Sequence, residues 1–246
     1  MDWHRIIGFA PYASRVGFPS IECALGFASA RAGVGKTTLV AELAAWFAAR
    51  GHSVALLDAD LSAPDALGRL GAQGPHVEQG GRLLPLEAHG VACFSLGRWL
   101  EQGGLAGVRG ELLEQRLAPL LDDGLDFGRR ELLLVDLAPG AEENESWLEA
   151  LGLDALVRVA LESDESAPDS PLPVLGRIET LAKPSAGPRG ARGASLLGRI
   201  PFDAALRELA PRGRPLVLED AHSPTAQALA KAGANLWKRV RSRLSA

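Results

Sequence analysis

The chain has 246 residues, 47% of them hydrophobic, which is enough to bury a full core as one large domain. Its formal net charge is −4, yet residues 1–176 hold 13 Lys and Arg against 25 Asp and Glu, whereas residues 177–246 hold 13 against 5. No uncharged apolar run reaches the ~20 residues of a membrane span, and the first residues lack the basic start and apolar core of a signal peptide.

Residues 1–20 combine prolines and glycines with aromatic residues, and they are predicted to form an N-terminal extension to a single domain over residues 21–246. This domain opens with an apolar run at 23–27, which has the length of a strand. A helix is expected next, because apolar residues then recur at helical spacing until Gly51.

A glycine-rich loop joins this strand to this helix, with the sequence Ala30-Arg31-Ala32-Gly33-Val34-Gly35-Lys36-Thr37-Thr38. Strand, loop and helix are what a phosphate-binding loop requires, because small residues let backbone N–H groups curl around an anion at the helix N-terminus. Lys36 is expected to reach the β- and γ-phosphates, and the Thr37 hydroxyl to ligand Mg²⁺. The match to G-x-x-x-x-G-K-[ST] is incomplete, since Ala30 replaces the first glycine. The predicted nucleotide-binding residues are Gly33, Val34, Gly35, Lys36, Thr37 and Thr38.

Apolar strands alternate with helical patterns through the rest of the chain. Strands are predicted at 53–57, 82–86, 91–96, 131–136, 155–161, 174–178 and 195–200, and helices at 64–70, 111–121, 147–151 and 225–244. The strands at 82–86 and 91–96 are expected to pair around the turn at Gly90. The alternation predicts an α/β fold with a doubly wound, mostly parallel sheet and helices on both faces. In such sheets ligands bind beyond the carboxyl ends of the strands.

Three acidic residues fall at predicted strand ends, where a nucleotide would lie. Asp136 follows four consecutive apolar residues, and an acid in that place commonly holds a water of the Mg²⁺ shell. Asp58 and Asp60 are two residues apart, so both face one side of an extended strand end. Asp60 is expected to orient an attacking water and Asp58 to lie near the metal. The alternatives are that Asp136 caps the next helix and that one of the pair caps the helix at Pro64.

Arg31 lies inside the loop, two residues before Gly33. A cation there is expected to touch the γ-phosphate of its own chain or of a dimer partner, as an arginine finger does. The alternative is an arginine that faces solvent. The predicted catalytic residues are therefore Lys36, Asp60 and Arg31, and the predicted Mg²⁺ ligands are Thr37, Asp136 and Asp58, partly through water.

Two stretches interrupt the pattern. Residues 162–173 are acidic and rich in Ser and Pro, and residues 183–194 are rich in Gly, Pro and Arg, so both are predicted loops. The basic amphipathic helix at 225–244 either packs on the sheet or makes a peripheral contact with an anionic membrane. A nucleic-acid partner is not favoured, because the arginines of 183–194 have no aromatic residues among them.

The chain contains two cysteines, Cys23 and Cys93, which lie in apolar runs and form no C-x-x-C. They are expected to be buried thiols in a reducing compartment, and a cytoplasmic location is predicted.

These motifs resemble the MinD/ParA/Mrp class of deviant Walker A ATPases, and most of all its Mrp branch of iron–sulfur-associated P-loop proteins. The family loop K-G-G-V-G-K-[ST]-T is similar to residues 31–38, and the family motif D-A-D-I-Y-G-P-S is similar to residues 57–64. Residues 135–140 resemble I-D-L-P-P-G, residues 197–203 resemble L-G-x-I-P-L-D, and Arg109-Gly110 stands where R-G-P is expected. The similarity covers about residues 22–242 in the same order.

The resemblance implies MgATP binding, an ATP-dependent homodimer, and slow hydrolysis used as a switch on a protein partner. Lys36, Thr37, Asp60 and Asp136 stand on matching positions. The departures from the family are an arginine for the signature lysine, at Arg31, and Thr180 for the asparagine that reads the adenine. Two loop glycines are also lost, at Ala30 and Ala32, where a left-handed backbone would cost about 1 kcal/mol or more.

The C-x-x-C that would hold a bridging cluster in the Mrp branch is absent from residues 183–194. A cluster shared across a dimer needs two thiolates per chain, so iron–sulfur carriage by that route is the less favoured prediction. Two functions stay open: a nucleotide-dependent dimerisation switch that hydrolyses ATP slowly, and a degenerate adaptor with weak or no turnover.

Overall fold

The computed structural model describes residues 18, 20–105, 107, 111–164, 170–182 and 195–244. The strands in this part of the chain are β1 (Ile21–Ala28), β2 (Val54–Ala59), β3 (Val77–Gln79), β4 (Arg82–Leu84), β5 (Leu86–Ala88), β6 (Val91–Ser95), β7 (Arg130–Leu137), β8 (Ala155–Leu161), β9 (Val174–Ala182) and β10 (Leu196–Pro201). Eight of them form one sheet in the order β10-β9-β8-β1-β7-β2-β6-β5, and every neighbouring pair is parallel except β5 with β6. The predicted mostly parallel sheet is confirmed.

Helices cover both faces of this sheet. They are α1 (Lys36–Ala48), α2 (Ala66–Leu70), α3 (Leu96–Gln102), α4 (Glu111–Pro119), α5 (Glu145–Ala150), α6 (Ala204–Leu209), α7 (Leu216–Glu219) and α8 (Pro224–Leu244). The buried residues of α1, α2, α7 and α8 pack on one face, and those of α3, α4 and α5 pack on the other. Because both faces of the central strands are covered, residues 132–135 of β7 form an unbroken apolar run with no exposed surface.

The strands between α2 and α3 pair differently from the prediction. Residues 82–86 were expected to pair with 91–96, but β4 pairs with β3, and only β5 pairs with β6. The cause lies in the turns. Gly80 and Gly81 both have positive φ, which favours a two-residue hairpin at that point. Pro85 then separates β4 from β5, since it has no N–H to continue a ladder.

The last helix, α8, packs on the sheet along its apolar side. The side chains of Leu229, Leu236 and Val240 are fully buried in the core that α8 shares with β10 and α1. The hydroxyl oxygen of Ser223 accepts the N–H of Ala226 at 3.2 Å, which caps the helix start. Of the two alternatives, the packed helix is the one in the structure. No helix of the described residues has the length and apolar character to cross a bilayer.

Some predictions fall outside the described residues. These are the extension at 1–20, apart from residues 18 and 20, the Arg109-Gly110 pair, and the loop at 183–194. The acidic loop at 162–173 is described only at 162–164 and 170–173, and those residues contain no helix.

Candidate functional site

The glycine-rich loop lies between β1 and the first residue of α1, as the sequence predicts. Gly33 and Gly35 adopt the left-handed conformation, with φ of 80° and 82°, which strongly favours glycine. Ala30 and Ala32 do not, since the only non-glycine residues with positive φ in the described part of the chain are His89 and Leu181. The strain expected at these two alanines is therefore absent. Both alanines have a backbone φ that any L-residue can adopt.

Lys36 and Asp136 form a buried ion pair at the start of α1. The Lys36 Nζ donates to Asp136 Oδ1, and the two side chains are 5% and 0% exposed. Burial raises the pKa of the Asp136 carboxyl, while the Lys36 charge and hydrogen bonds from Lys36 and Thr37 oppose the rise. The second oxygen, Asp136 Oδ2, is buried without a hydrogen-bond partner. An orphaned carboxylate oxygen beside a threonine hydroxyl is a fitting place for Mg²⁺, a hard cation that prefers oxygen ligands.

The carboxyl end of β2 carries the other two acids. Asp58 is fully buried, and its oxygens accept the N–H groups of Asp60 at 3.2 Å and Ala66 at 3.1 Å. Burial and the nearby Asp136 charge raise the pKa of Asp58 well above its usual value. Asp58 therefore caps a helix in this structure, as the alternative prediction has it, because it accepts the N–H of Ala66, the first residue of α2. Its place near the metal stays a prediction.

Asp60 shapes the loop that follows β2. Its Oδ1 accepts the hydroxyl of Ser62 at 2.6 Å and the N–H groups of Ser62 and Ala63 at 3.0 and 3.1 Å. Asp60 is 7% exposed and lines the same cavity as Lys36 and Thr37. The structure therefore brings together Asp60, Lys36, Thr37 and Asp136, which the sequence separates by as many as 100 positions.

Arg31 pairs with a residue of its own chain that the sequence did not single out. Its Nη2 lies 2.5 Å from Asp164 Oδ1, and the two side chains are 52% and 22% exposed. Asp164 is held in turn, since its Oδ2 accepts the N–H of Leu161 at 2.9 Å and its carbonyl accepts the Arg177 guanidinium at 3.3 Å. Arg31 thus lies at the loop, as predicted, but its charge is directed to the end of β8.

A second unforeseen contact supports the loop from β9. The Thr180 hydroxyl donates to the carbonyl of Val34 at 2.5 Å, between the two left-handed glycines. Thr180 is 4% exposed, and it stands where the resemblance expected a residue that reads the base. In this chain its hydroxyl is bound to the loop backbone instead. No local sequence signal marks this contact, because 146 positions separate the two residues.

Two cavities meet at the loop. The phosphate cavity, of about 390 Å³, is lined by Ser29, Arg31, Ala32, Gly33, Val34, Gly35, Lys36, Thr37, Thr38, Asp60, Ala63, Asp65, Arg69 and Pro139. The apolar cavity, of about 350 Å³, is lined by Gly33, Gly35, Thr38, Leu39, Arg69, Thr180, Leu181, Ile200, Pro201, Phe202, Asp203, Leu206, Arg207 and Leu229. Gly33, Gly35, Thr38 and Arg69 line both. A polar space around backbone amides beside an apolar space suits a ligand with an anionic part and a flat apolar part.

A glycine loop between a central parallel strand and a helix, with acids at the neighbouring strand ends, defines a P-loop NTPase. The family model described as "ParA: NUBPL iron-transfer P-loop NTPase" matches residues 20–168. The chain belongs to this family, and the resemblance to the MinD/ParA/Mrp class is confirmed.

Named relatives agree with this assignment, and a solved structure agrees with the fold. The chain is 30% identical over 244 residues to an iron-sulfur cluster carrier protein of Deinococcus radiodurans, covering 88% of this chain and 69% of that protein. It is 29% identical over 243 residues to an iron-sulfur protein required for NADH dehydrogenase of Arabidopsis thaliana mitochondria, covering 87% and 77%. MinD of Pyrococcus horikoshii complexed with Mg-ADP shares the fold, with a TM-score of 0.64 at 20% identity over 86% of this chain and 94% of that one.

Proposed function

We propose that this chain is a MgATP-binding P-loop ATPase that hydrolyses ATP slowly and dimerises with nucleotide, as a switch on a protein partner. The observation that carries the proposal is that Lys36, Thr37 and Asp60 line one cavity at the glycine loop, while the buried Asp136 is hydrogen-bonded to Lys36 and Thr37. A cation, a hydroxyl and two carboxylates are the groups that a nucleoside triphosphate and its metal require.

Each residue has a distinct task in this proposal. The loop amides and Lys36 bind the phosphate oxygens, and Lys36 exchanges its bond to Asp136 for one to phosphate. The Thr37 hydroxyl and the unpartnered Asp136 Oδ2 would hold Mg²⁺, which supplies positive charge beside the phosphates when bound. Asp60, fixed by its bonds to Ser62 and Ala63, orients the attacking water.

The first test is the solution mass, measured by sedimentation velocity with and without MgATP at matched protein concentration. The switch predicts a monomer that becomes a dimer only with MgATP, and an unchanged mass would contradict it. Phosphate release is measured in parallel for the unaltered chain and for Asp60→Ala. The variant should keep nucleotide binding and lose turnover. Asp122→Ala is the matched control, because Asp122 is exposed and lies outside both cavities.

A second function is an adaptor that binds nucleotide without turnover. The Arg31–Asp164 pair favours it, because the guanidinium has to leave a carboxylate of its own chain before it can reach the phosphate of a dimer partner. Phosphate release that disappears in Asp60→Ala would exclude the adaptor. Nucleotide binding with no release and no change of mass would support it.

Iron–sulfur cluster carriage, which the names of the relatives suggest, is not part of the proposal. The two cysteines of the chain are Cys23 on β1 and Cys93 on β6, and both side chains are buried in the core. Among the described residues, no group of three or more His, Cys, Asp and Glu side chains is arranged to hold a metal ion.

A further inference from the structure

Arg69 is the one charged side chain that lines both cavities among the residues described. The other residues common to the two cavities are Gly33, Gly35 and Thr38, which belong to the loop and the first turn of α1. Arg69, which belongs to α2, therefore lies at the junction of the phosphate cavity and the apolar cavity.

The short helix α2 holds Arg69 at this junction. At the start of α2, the Ala66 N–H donates to the buried Asp58 carboxylate. The side chains of Leu67 and Leu70 are fully buried. At its end, Gly71 packs so closely on Gly213 that a Cβ there would lie 2.6 Å from the Gly213 carbonyl oxygen. Arg69 thus extends from an element that is fixed at both ends.

The three cations of the phosphate cavity differ in how firmly they are paired. Lys36 is bound to a fully buried carboxylate, and Arg31 to a carboxylate that is 22% exposed. Arg69 uses only its Nε, at 2.6 Å from Asp65 Oδ2, and the Asp65 side chain is 52% exposed. An ion pair with an exposed carboxylate is weakly held. The two Nη groups of Arg69 have no partner among the described residues, so they are available to an anion.

We infer that Arg69 is a nucleotide-binding residue, which contacts the phosphate tail where it joins the nucleoside. The inference rests on the proposed function and adds a residue to it. The ligand class is a nucleoside di- or triphosphate, whose tail lies in the phosphate cavity and whose base lies in the apolar cavity. With Nε on Asp65, the Nη groups can donate to phosphate oxygens in the planar geometry that arginine favours.

The test is the dissociation constant for ADP, measured by calorimetry on the full chain and on three variants. Arg69→Ala should weaken binding about tenfold or more, and Arg69→Lys should recover part of the loss. Arg212→Ala is the matched control, because Arg212 pairs with Glu208 four positions earlier, as Arg69 does with Asp65, and lines neither cavity; it should change the constant less than about twofold. Thermal unfolding of each variant shows whether the fold is kept.

Inorganic tripolyphosphate separates a phosphate contact from other roles, because it carries the tail without a base. Arg69→Ala should weaken tripolyphosphate binding as well. A loss for ADP alone would overturn the phosphate contact and indicate that the guanidinium stacks on the base. Unchanged ADP binding in Arg69→Ala would overturn the inference and leave the proposed function intact, whereas no ADP binding by the unaltered chain would overturn both.

Discussion

Glu42 is a buried carboxylate of α1 that lines neither cavity. Its two oxygens accept the N–H groups of Leu216 at 2.8 Å and Val217 at 3.0 Å, the first amides of α7. These amides have no partner within their own helix, so Glu42 satisfies them and joins α7 to α1. Burial outweighs the two hydrogen bonds and raises the pKa of Glu42 from 4.5 to about 7.

This pKa makes the free energy of unfolding depend on pH. The folded chain keeps the Glu42 proton up to about pH 7, while the unfolded chain releases it near 4.5. The stabilisation that comes from the proton on Glu42, about 3 kcal/mol, is therefore fully present below pH 4.5 and is lost as the pH rises to about 7. Glu42→Gln should lose this slope, although it is less stable throughout because its amide NH₂ cannot accept a second N–H. Urea denaturation of both proteins across this range measures the difference, and parallel curves would contradict it.

At the scale of single residues, the sequence predicts the groups that belong to a local pattern and misses those that do not. Lys36 and Thr37 follow from the loop, and Asp60 and Asp136 from the ends of apolar runs. Asp164 and Arg69 carry no such signal. Asp164 lies 133 positions from Arg31 in an acidic loop, and only the sheet order brings it near.

Among the elements, α8 and β10 show how closely two backbones are packed. At Gly198 of β10, an added Cβ would lie 2.7 Å from the Cβ and 3.2 Å from the Cα of Ala232 on α8. Contacts this short cannot be relieved by a rotamer change, because both neighbouring atoms are fixed to the helix backbone. Glycine at this position therefore sets the distance between the helix and the sheet.

Gly198→Ala should lower the free energy of unfolding by about 1–3 kcal/mol, since the added methyl group forces α8 away from β10. Gly103→Ala is the matched control, because a Cβ at Gly103 has its nearest neighbour at 3.6 Å. The control should change stability by less than about 0.5 kcal/mol. Guanidinium denaturation compares the two variants with the unaltered chain, and equal effects would show that the contact at Ala232 is not the cause.

The long elements could be predicted and the short ones could not. Strands such as β2 and β7 are buried on both faces, so they appear in the sequence as unbroken apolar runs. The three-residue strands β3, β4 and β5 bury little, and their pairing depends on the turns at 80–81 and 89–90. The geometry of these turns therefore determines which strands pair, which the apolar pattern alone did not specify.

For the molecule as a whole, alternating strands and helices predict a parallel sheet but not the order of its strands. That order follows from how each crossover packs, and it places β1 between β7 and β8 at the centre. The arrangement brings the ends of β1, β2 and β7 to one site. It also separates the two cysteines, because β7 and β2 lie between β1 and β6.

This separation leads to a prediction about iron–sulfur carriage. Three strand spacings separate Cys23 from Cys93 by roughly 14 Å or more, which is too far to ligate one cluster. Both thiols are at most 2% exposed, and burial raises the pKa of Cys93 to about 12, which disfavours the thiolate that a cluster needs.

Anaerobic reconstitution with iron and sulfide should therefore leave the folded chain without bound cluster, as measured by visible absorption and iron content after gel filtration. The iron-sulfur cluster carrier protein of Deinococcus radiodurans, treated in parallel, is the positive control. Cys23→Ala and Cys93→Ala show whether any iron retained depends on these thiols. Stoichiometric cluster in the unaltered chain, lost in either variant, would mean that the sheet opens to expose its core. Cluster that survives both substitutions would mean that other groups ligate it.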